Sequence, residues 1–285
     1  MFCSVFKKMP HVIPLININF VKHIKNKMNI EFFKYQGAGN DFVMIDNRSN
    51  RPQLSKSQIA LICDRKFGVG ADGLVFLCNS VNSDFEMIYY NSDGSLGSMC
   101  GNGGRCIVAF ANALGLVDKT CVFDAFDGLH HAEIISNEKV ALQMSDLTVP
   151  ENYHTDTILN TGSPHIVLFE NSIDDLNVQE KGAEIRFSKT YAVEGVNVNF
   201  VKVLKDKLLI RTYERGVENE TLACGTGAVA SAIAAFESGL ISTQPIRLTA
   251  LGGDLEVLFS KLENTYTNIR LIGSAKFVFK GSIDV

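Results

Sequence analysis

Two short stretches of the chain have residue types and spacing that could do chemistry: Cys100-Gly101-Asn102-Gly103 and Cys224-Gly225-Thr226-Gly227. Each precedes a mostly apolar run, Ile107–Leu114 and Ala228–Phe236, that stops before Gly115 or Gly239, as a helix closed by a C-terminal glycine does. The turn therefore sets each cysteine at a helix N-terminus, where unpaired N–H groups and the helix dipole favour an anion. A thiol of ordinary pKa, about 8.5, should be pulled down there until thiolate is accessible near neutral pH. Glycines lack the Cβ that would keep a substrate carboxylate from the same N–H groups. Two such helix ends facing each other would hold one carboxylate with a sulfur on either side of it. A carbon between the sulfurs could give a proton to one and take a proton from the other, inverting a stereocentre with neither cofactor nor metal.

A lone Cys-Gly-x-Gly is more often a turn with a buried thiol, and a glycine-rich turn can also cradle phosphate. The phosphate reading fails because no G-x-x-x-x-G-K-[ST] occurs and neither turn supplies a lysine. The buried-thiol reading is answered by repetition. A spacing of 124 residues relates both Cys100 to Cys224 and Gly115 to Gly239, and a spacing of 123 relates Gly39-Asn40-Asp41-Phe42 to Gly162-Ser163-Pro164-His165. Strands predicted at 30–35, 42–46, 74–77 and 85–90, a short helix at 57–63 and the helix at 107–114 are followed by strands at 120–123, 130–135 and 141–144. The second half repeats the layout with strands at 166–169, 198–203 and 208–212, the helix at 228–236, and strands at 246–250, 255–259, 268–272 and 275–280. The expectation is an α+β fold of two duplicated, pseudo-symmetric domains, about 28–145 and 146–273. Each is a strand-rich sheet or barrel around a central apolar helix, with the active cleft between them.

Composition bounds the partners. A length of 285 residues suits about two domains, and 46% hydrophobic with 20% charged residues excludes intrinsic disorder. Lys+Arg 27 against Asp+Glu 31 leaves a net charge of −4, which argues against nucleic acid or an anionic membrane surface. No apolar run reaches the ~18–20 residues of a membrane span. Seven cysteines, an odd number without a C-x-x-C pair, disfavour a disulfide scaffold and a zinc site. Cys63, Cys78, Cys106 and Cys121 are read as core residues, and the whole as a soluble cytoplasmic protein. Residues 1–27 carry five lysines and no acid. They lack the clean apolar stretch and cleavage site of a secretory signal, and read as a disordered tail or as an upstream start codon with Met28 the true start.

From Met28 onward the chain resembles the diaminopimelate epimerase family. The resemblance rests on seven ordered motifs: Gly37-Ala38-Gly39-Asn40-Asp41-Phe42, Tyr90-Asn91-Ser92-Asp93-Gly94-Ser95, Met99-Cys100-Gly101-Asn102-Gly103, Pro164-His165, Val196-Asn197, Tyr213-Glu214-Arg215-Gly216 and Ala223-Cys224-Gly225-Thr226-Gly227. It implies conversion of LL- to meso-2,6-diaminopimelate, on the lysine and peptidoglycan pathway, with Cys100 and Cys224 as the acid–base pair. Gly101, Asn102, Gly225 and Thr226 would bind the carboxylate at the reacting carbon. Glu214 would take the reacting amine, and Asn40, Asn91, Asn197 and Arg215 the distal amino-acid end. His165 and Glu214 would tune the cysteines. The final strand, within 274–285, would return to the first half. The partner expected is the small amino-acid substrate, with a homodimer left open.

Two positions depart from the commonest family pattern. Ser163 stands where Asn is usual and Gly73 where Gln is frequent, which puts contacts there in doubt but not the reaction. A spacing of 124 also sets Asn91 against Arg215, so the two distal-end readers are expected at equivalent places. The runner-up is a proline or hydroxyproline racemase, against which Tyr213-Glu214-Arg215-Gly216 and the Asn91 motif count. A thiol redox protein or an amino-acid-binding module is the reading from another class.

Overall fold

The structure is a computed structural model describing residues 28–49, 54–97, 99–151, 153–154 and 157–285. The stretch read as a tail lies outside the described residues. The first half runs β1 (Asn29–Gly37), β2 (Asn40–Asp46), α1 (Lys56–Cys63), β3 (Gly73–Cys78), β4 (Phe85–Asn91), α2 (Gly101–Ala113), β5 (Thr120–Ala125), β6 (Gly128–Ser136) and β7 (Lys139–Gln143). After the short β8 (Leu147–Thr148) and β9 (Leu159–Asn160), the second half runs β10 (Pro164–Phe169), α3 (Val178–Arg186), β11 (Asn197–Val203), β12 (Lys207–Glu214), β13 (Asn219–Thr221), α4 (Gly225–Glu237), β14 (Ile246–Ala250), β15 (Gly253–Leu262) and β16 (Thr265–Ser274). The last strand is β17 (Lys276–Asp284).

The duplication expected from the sequence is present in the hydrogen-bond ladders. In the first half β2 pairs β3 in parallel, β3 pairs β4 antiparallel, β4 pairs β5 in parallel, and β5–β6–β7 continue antiparallel. In the second half β10, β11, β12, β14, β15 and β16 repeat that series in the same order and sense. The two series meet where their final strands, β7 and β16, pair antiparallel. From β16 the chain crosses back, and β17 pairs with β1 from Asn29 to Gln36.

Each sheet wraps one helix because that helix has no polar face to show water. Ile107, Val108, Phe110 and Ala111 of α2 sit in one core cluster, and Ala228 through Ala235 of α4, with Ser231 among them, are likewise buried in another. Burial of each large apolar side chain contributes about 1.5–3 kcal/mol, and the strands around each central helix supply most of those side chains. A smaller cluster in each half packs an outer helix on the other sheet face: Ile59 and Ile62 of α1, and Val178 of α3.

Helix α3 escaped the pattern reading because Val178–Arg186 shows little apolar periodicity and contains Gly182. Gly182 is there for space, since a Cβ on it would fall 2.4 Å from Tyr213 Cβ. The repeat itself held the missing signal, because α1 shifted by 123 residues lands on α3. None of the helices among the described residues is long and apolar enough to cross a membrane.

Candidate active site

Helices α2 and α4 arrive at one place from opposite halves. Cys100 caps α2 with φ −114° and ψ 120°, and Cys224 caps α4 with φ −116° and ψ 114°. Both helices run 13 residues, and both open with the cap carbonyl accepting from the residue four further on, Gly104 N at 2.7 Å and Ala228 N at 2.9 Å. A Cβ built on Gly225 would come 3.9 Å from Gly101 Cα. Asn102 ties the ends together, its side-chain N–H donating to Ala223 O at 3.3 Å, one residue before Cys224.

Around Cys100 the side chains form a braced set. The Cys100 thiol donates to Asn40 Oδ1 at 3.7 Å, and Asn102 Nδ2 donates to the same oxygen at 3.4 Å. Asn40 is held by Asp72, whose carboxylate accepts from its Nδ2 at 2.6 Å, and Asp72 is paired with Arg65. Behind Asn102 lies Arg105, fully buried, with its guanidinium donating to Asn102 Oδ1, Gly101 O and Ser274 O. Among the described residues its hydrogen-bond partners are all neutral, and burial pulls its pKa down.

Around Cys224 the hydrogen-bonded set is a hydroxyl, an imidazole and an amide, with the Glu214 carboxyl near enough for its charge to be felt. Thr226 Oγ1 lies 3.4 Å from Cys224 Sγ and 2.9 Å from His165 Nε2, and His165 Nδ1 lies 3.1 Å from Asn199 Nδ2. Glu214 is half-buried, accepts from Thr221 Oγ1 at 3.0 Å, and has its carboxyl pushed up by burial.

The thiols answer to burial more than to the helix. Backbone N–H groups of Asn102 and Gly103 favour a Cys100 thiolate, as does that of Gly227 for Cys224. Loss of water outweighs them. Both sulfurs also feel the negative charge of Glu214; the Cys100 thiol is pushed up, and Cys224 is pushed up to about 12. This runs against the expectation of a thiolate near neutral pH: burial favours the protonated form of both sulfurs.

A third group forms the far side. Asn197 Nδ2 donates to Ser163 Oγ at 2.8 Å and to Pro164 O at 3.0 Å, while its Oδ1 accepts from Arg215 N at 2.9 Å. The exposed Arg215 guanidinium donates to Glu194 O at 2.8 Å and reaches Ser163 Oγ at 3.5 Å. Ser163 Oγ thus accepts from both Asn197 and Arg215. Asn91 stands apart at the exposed end of β4, its amide donating to Ser95 Oγ at 3.2 Å.

Register also corrects the pairing of Asn91 with Arg215. Gly73 faces Asn91 in β3–β4, and Val198 faces Tyr213 in β11–β12, so one residue further Asn197 faces Glu214. Because Gly73 and Asn197 hold matching places against β2 and β10, the counterpart of Asn91 is Glu214. Gly73 is no lost contact either: a Cβ there would fall 2.4 Å from the Tyr89 ring, which fills that space.

Sequence reasoning passed over Asp72, Arg65, Arg105, Asn199 and Thr212. A signal existed for two of them. Arg105 is the one charge in the run Gly101–Ala113, and Asn199 interrupts the apolar run from Val198 to Val201.

The fold is shared with enzymes of several chemistries. A phenazine-biosynthesis protein of the PhzF family from Bacillus anthracis superposes with TM-score 0.67 at 14% identity, over 90% of this chain and all of that one. A probable proline racemase from Agrobacterium radiobacter superposes with TM-score 0.62 at 12% identity, over 89% and 92%. The family model for diaminopimelate epimerase matches residues 32–149 and 157–278. The chain is 48% identical to the diaminopimelate epimerase of Flavobacterium psychrophilum over 89% of its length and all of the relative's, and 40% identical to that of Chlorobaculum tepidum over 87% and 98%. The chain belongs to the diaminopimelate epimerase family, and is an isomerase.

Proposed function

We propose that the chain interconverts LL- and meso-2,6-diaminopimelate in the cytoplasm by a two-base reaction in which Cys100 and Cys224 serve opposite faces of one α-carbon. The observation that carries this is the mating of two helix N-termini, each capped by a cysteine, across Gly101 and Gly225. The substrate carboxylate would sit on the N–H groups that open α2 and α4, those of Asn102, Gly103, Thr226 and Gly227, which would stabilise negative charge that spreads onto it from the carbanion. The substrate ammonium would go to Glu214. Its positive charge between that carboxylate and the sulfurs favours the thiolate that burial alone disfavours. One thiolate then takes the α-proton, the electron pair moves into the carboxylate, and the opposite thiol delivers its proton to the other face. Each turnover exchanges the two sulfurs' roles.

The distal amino-acid head would meet Arg215, whose planar fork suits a carboxylate, with Ser163 and Asn197 holding it in place. Asn40 would position Cys100 as much as touch substrate, since Asp72 already engages its amide. We take the two lobes of the cleft as 28–145 with 274–285 and 146–273, a division supported by the return of β17 to β1. The test is turnover of LL-diaminopimelate against L-proline without added cofactor, in heavy water. Label entering the α-carbon of diaminopimelate alone is the expected result. Turnover of proline instead, or no label in either, rejects the reading.

A further inference from the structure

The second half carries a buried polar chain that the fold does not require. Strand pairing sets His165 beside Asn197 and Val167 beside Asn199 in β10–β11, as it sets Phe42 beside Gly73 and Met44 beside Val75 in β2–β3. The twin places of His165 and Asn199 are thus Phe42 and Val75, both fully buried. One copy of the domain builds its core there from apolar side chains. The other buries an imidazole and an amide, each fully, which costs free energy unless every polar atom finds a partner.

The partners fix a direction. Asn199 Nδ2 lies 3.0 Å from Ile166 O, and a carbonyl has no proton to give, so the amide must turn its amino end that way. Thr212 Oγ1 closes the other end by donating to Asn199 Oδ1 at 3.0 Å. The second amino proton then points at His165 Nδ1, 3.1 Å away, which must accept. Burial first, and the charge of Arg215 second, push the imidazole down to about 3, so it is neutral and its one proton lies on Nε2. Nε2 donates to Thr226 Oγ1 at 2.9 Å, and the hydroxyl's own proton is left for Cys224 Sγ at 3.4 Å.

We propose that Asn199, oriented by Ile166 O and Thr212, holds His165 as the Nε2-protonated tautomer, so that the Thr226 hydroxyl always presents its proton to Cys224. The inference rests on the reading of Cys224 as one of the two bases. It makes Asn199 a positioning residue, acting through His165 and Thr226 on a sulfur it does not touch. A hydroxyl donor steadies Cys224 when it is a thiolate, the state in which it takes the α-proton. The charged and titratable neighbours that act on Cys224 in the same place are Glu214 and Cys100, both of which oppose its ionisation. Cys100 has the opposite environment, since its polar neighbour is the acceptor Asn40 Oδ1. The two halves therefore differ in hydrogen-bond sense at their sulfurs although they match in backbone.

The test reads the tautomer and the thiol separately from turnover. Nitrogen-15 NMR of the intact protein, with the His165 signals assigned by their loss in His165→Phe, should show a single Nε2-protonated neutral ring from pH 6 to 8. In Asn199→Val, which installs the residue of the twin half, both tautomers should appear. The alkylation rate of Cys224 by iodoacetamide, followed by peptide mass spectrometry, should drop at least threefold, while Cys100 in the same molecules changes by less than 1.5-fold. Thr226→Val should lower the Cys224 rate at least as much. An Nδ1-protonated or cationic ring in the native protein overturns the proposal. So does a folded Asn199→Val or Thr226→Val in which the two cysteines respond alike. A wrong assignment of Cys224 shows differently: the tautomer stands, and Cys224→Ala keeps its epimerase activity.

Discussion

Gly101 and Gly225 face each other where the two halves meet, and Leu271 Cδ2 lies against both: 3.5 Å from a Cβ built on Gly101 and 2.8 Å from one built on Gly225. Space at this joint is shared between a leucine methyl and the place proposed for the substrate carboxylate. Gly225→Ala should therefore unfold at nearly the wild-type temperature, because the displaced atom is the free end of a flexible side chain. Epimerisation should fall at least tenfold, mostly as a raised KM. Thermal melts and steady-state kinetics check this, and an unchanged KM would remove the carboxylate from that joint.

The two-base assignment makes a sharper demand. Cys100→Ala and Cys224→Ala should each abolish epimerisation, because one face then lacks a proton partner. Each variant should still exchange the α-proton of one stereoisomer through its surviving sulfur. Cys106→Ala should keep full activity and lose only about 1 kcal/mol of packing stability. Deuterium exchange on LL- and meso-diaminopimelate by the two single variants separates the faces, and near-normal turnover by either ends the assignment.

Arg105 offers a case where stability and activity should part. Its charge is fully buried and bonded to Asn102, Gly101 and Ser274 without a carboxylate among those partners. Burying a charge costs free energy that an apolar side chain of similar length avoids, so Arg105→Met should be as stable as the wild type or more stable. Asn102 Oδ1 would lose its donor, and with it the amide that bridges to Ala223 O. We expect kcat/KM to drop by about 10²-fold, or about 2.7 kcal/mol. A marked loss of thermal stability with activity intact would reverse the reading.

His165 should leave a mark on acid stability. Its pKa is held down to about 3 in the folded chain against an ordinary 6.5. The unfolded chain thus binds a proton that the native one refuses, and the contribution is fully present above pH 6.5 and lost as the pH falls towards 3. His165→Phe, which copies the twin residue Phe42, should flatten the fall of melting temperature between pH 6.5 and 3. Equal slopes for the two proteins would show that the imidazole charges in place.

Much of the architecture could be read from residue types alone. The central helices announce themselves because a run such as Ile107–Leu114 has nowhere to go but inside, and the glycines after them mark their ends. The duplication could be read as well, since a spacing of 123 or 124 residues repeats across turns whose glycines and cysteines are not interchangeable. The cysteine pair followed from that repeat. What escaped were elements whose signals are local and weak: α3, with a glycine set in it to clear Tyr213, and the short strands β8, β9 and β13.

Tertiary structure alone decided the electrical state of the site. A helix N-terminus lowers a thiol pKa and burial raises it, and only the three-dimensional surroundings say how much water each sulfur has lost. It also decided which polar residues matter. Asn199, Thr212 and Asp72 lie on three different elements or loops and meet the cysteines through contacts distant in the chain, so spacing along the chain does not connect them to the site. The counterpart of Asn91 turned on a single residue of strand register, because a ladder, not a count along the chain, sets which side chains share a place. Sequence determined that two cysteines would cap two matching helices; the folded chain determined that one faces an acceptor and the other a donor.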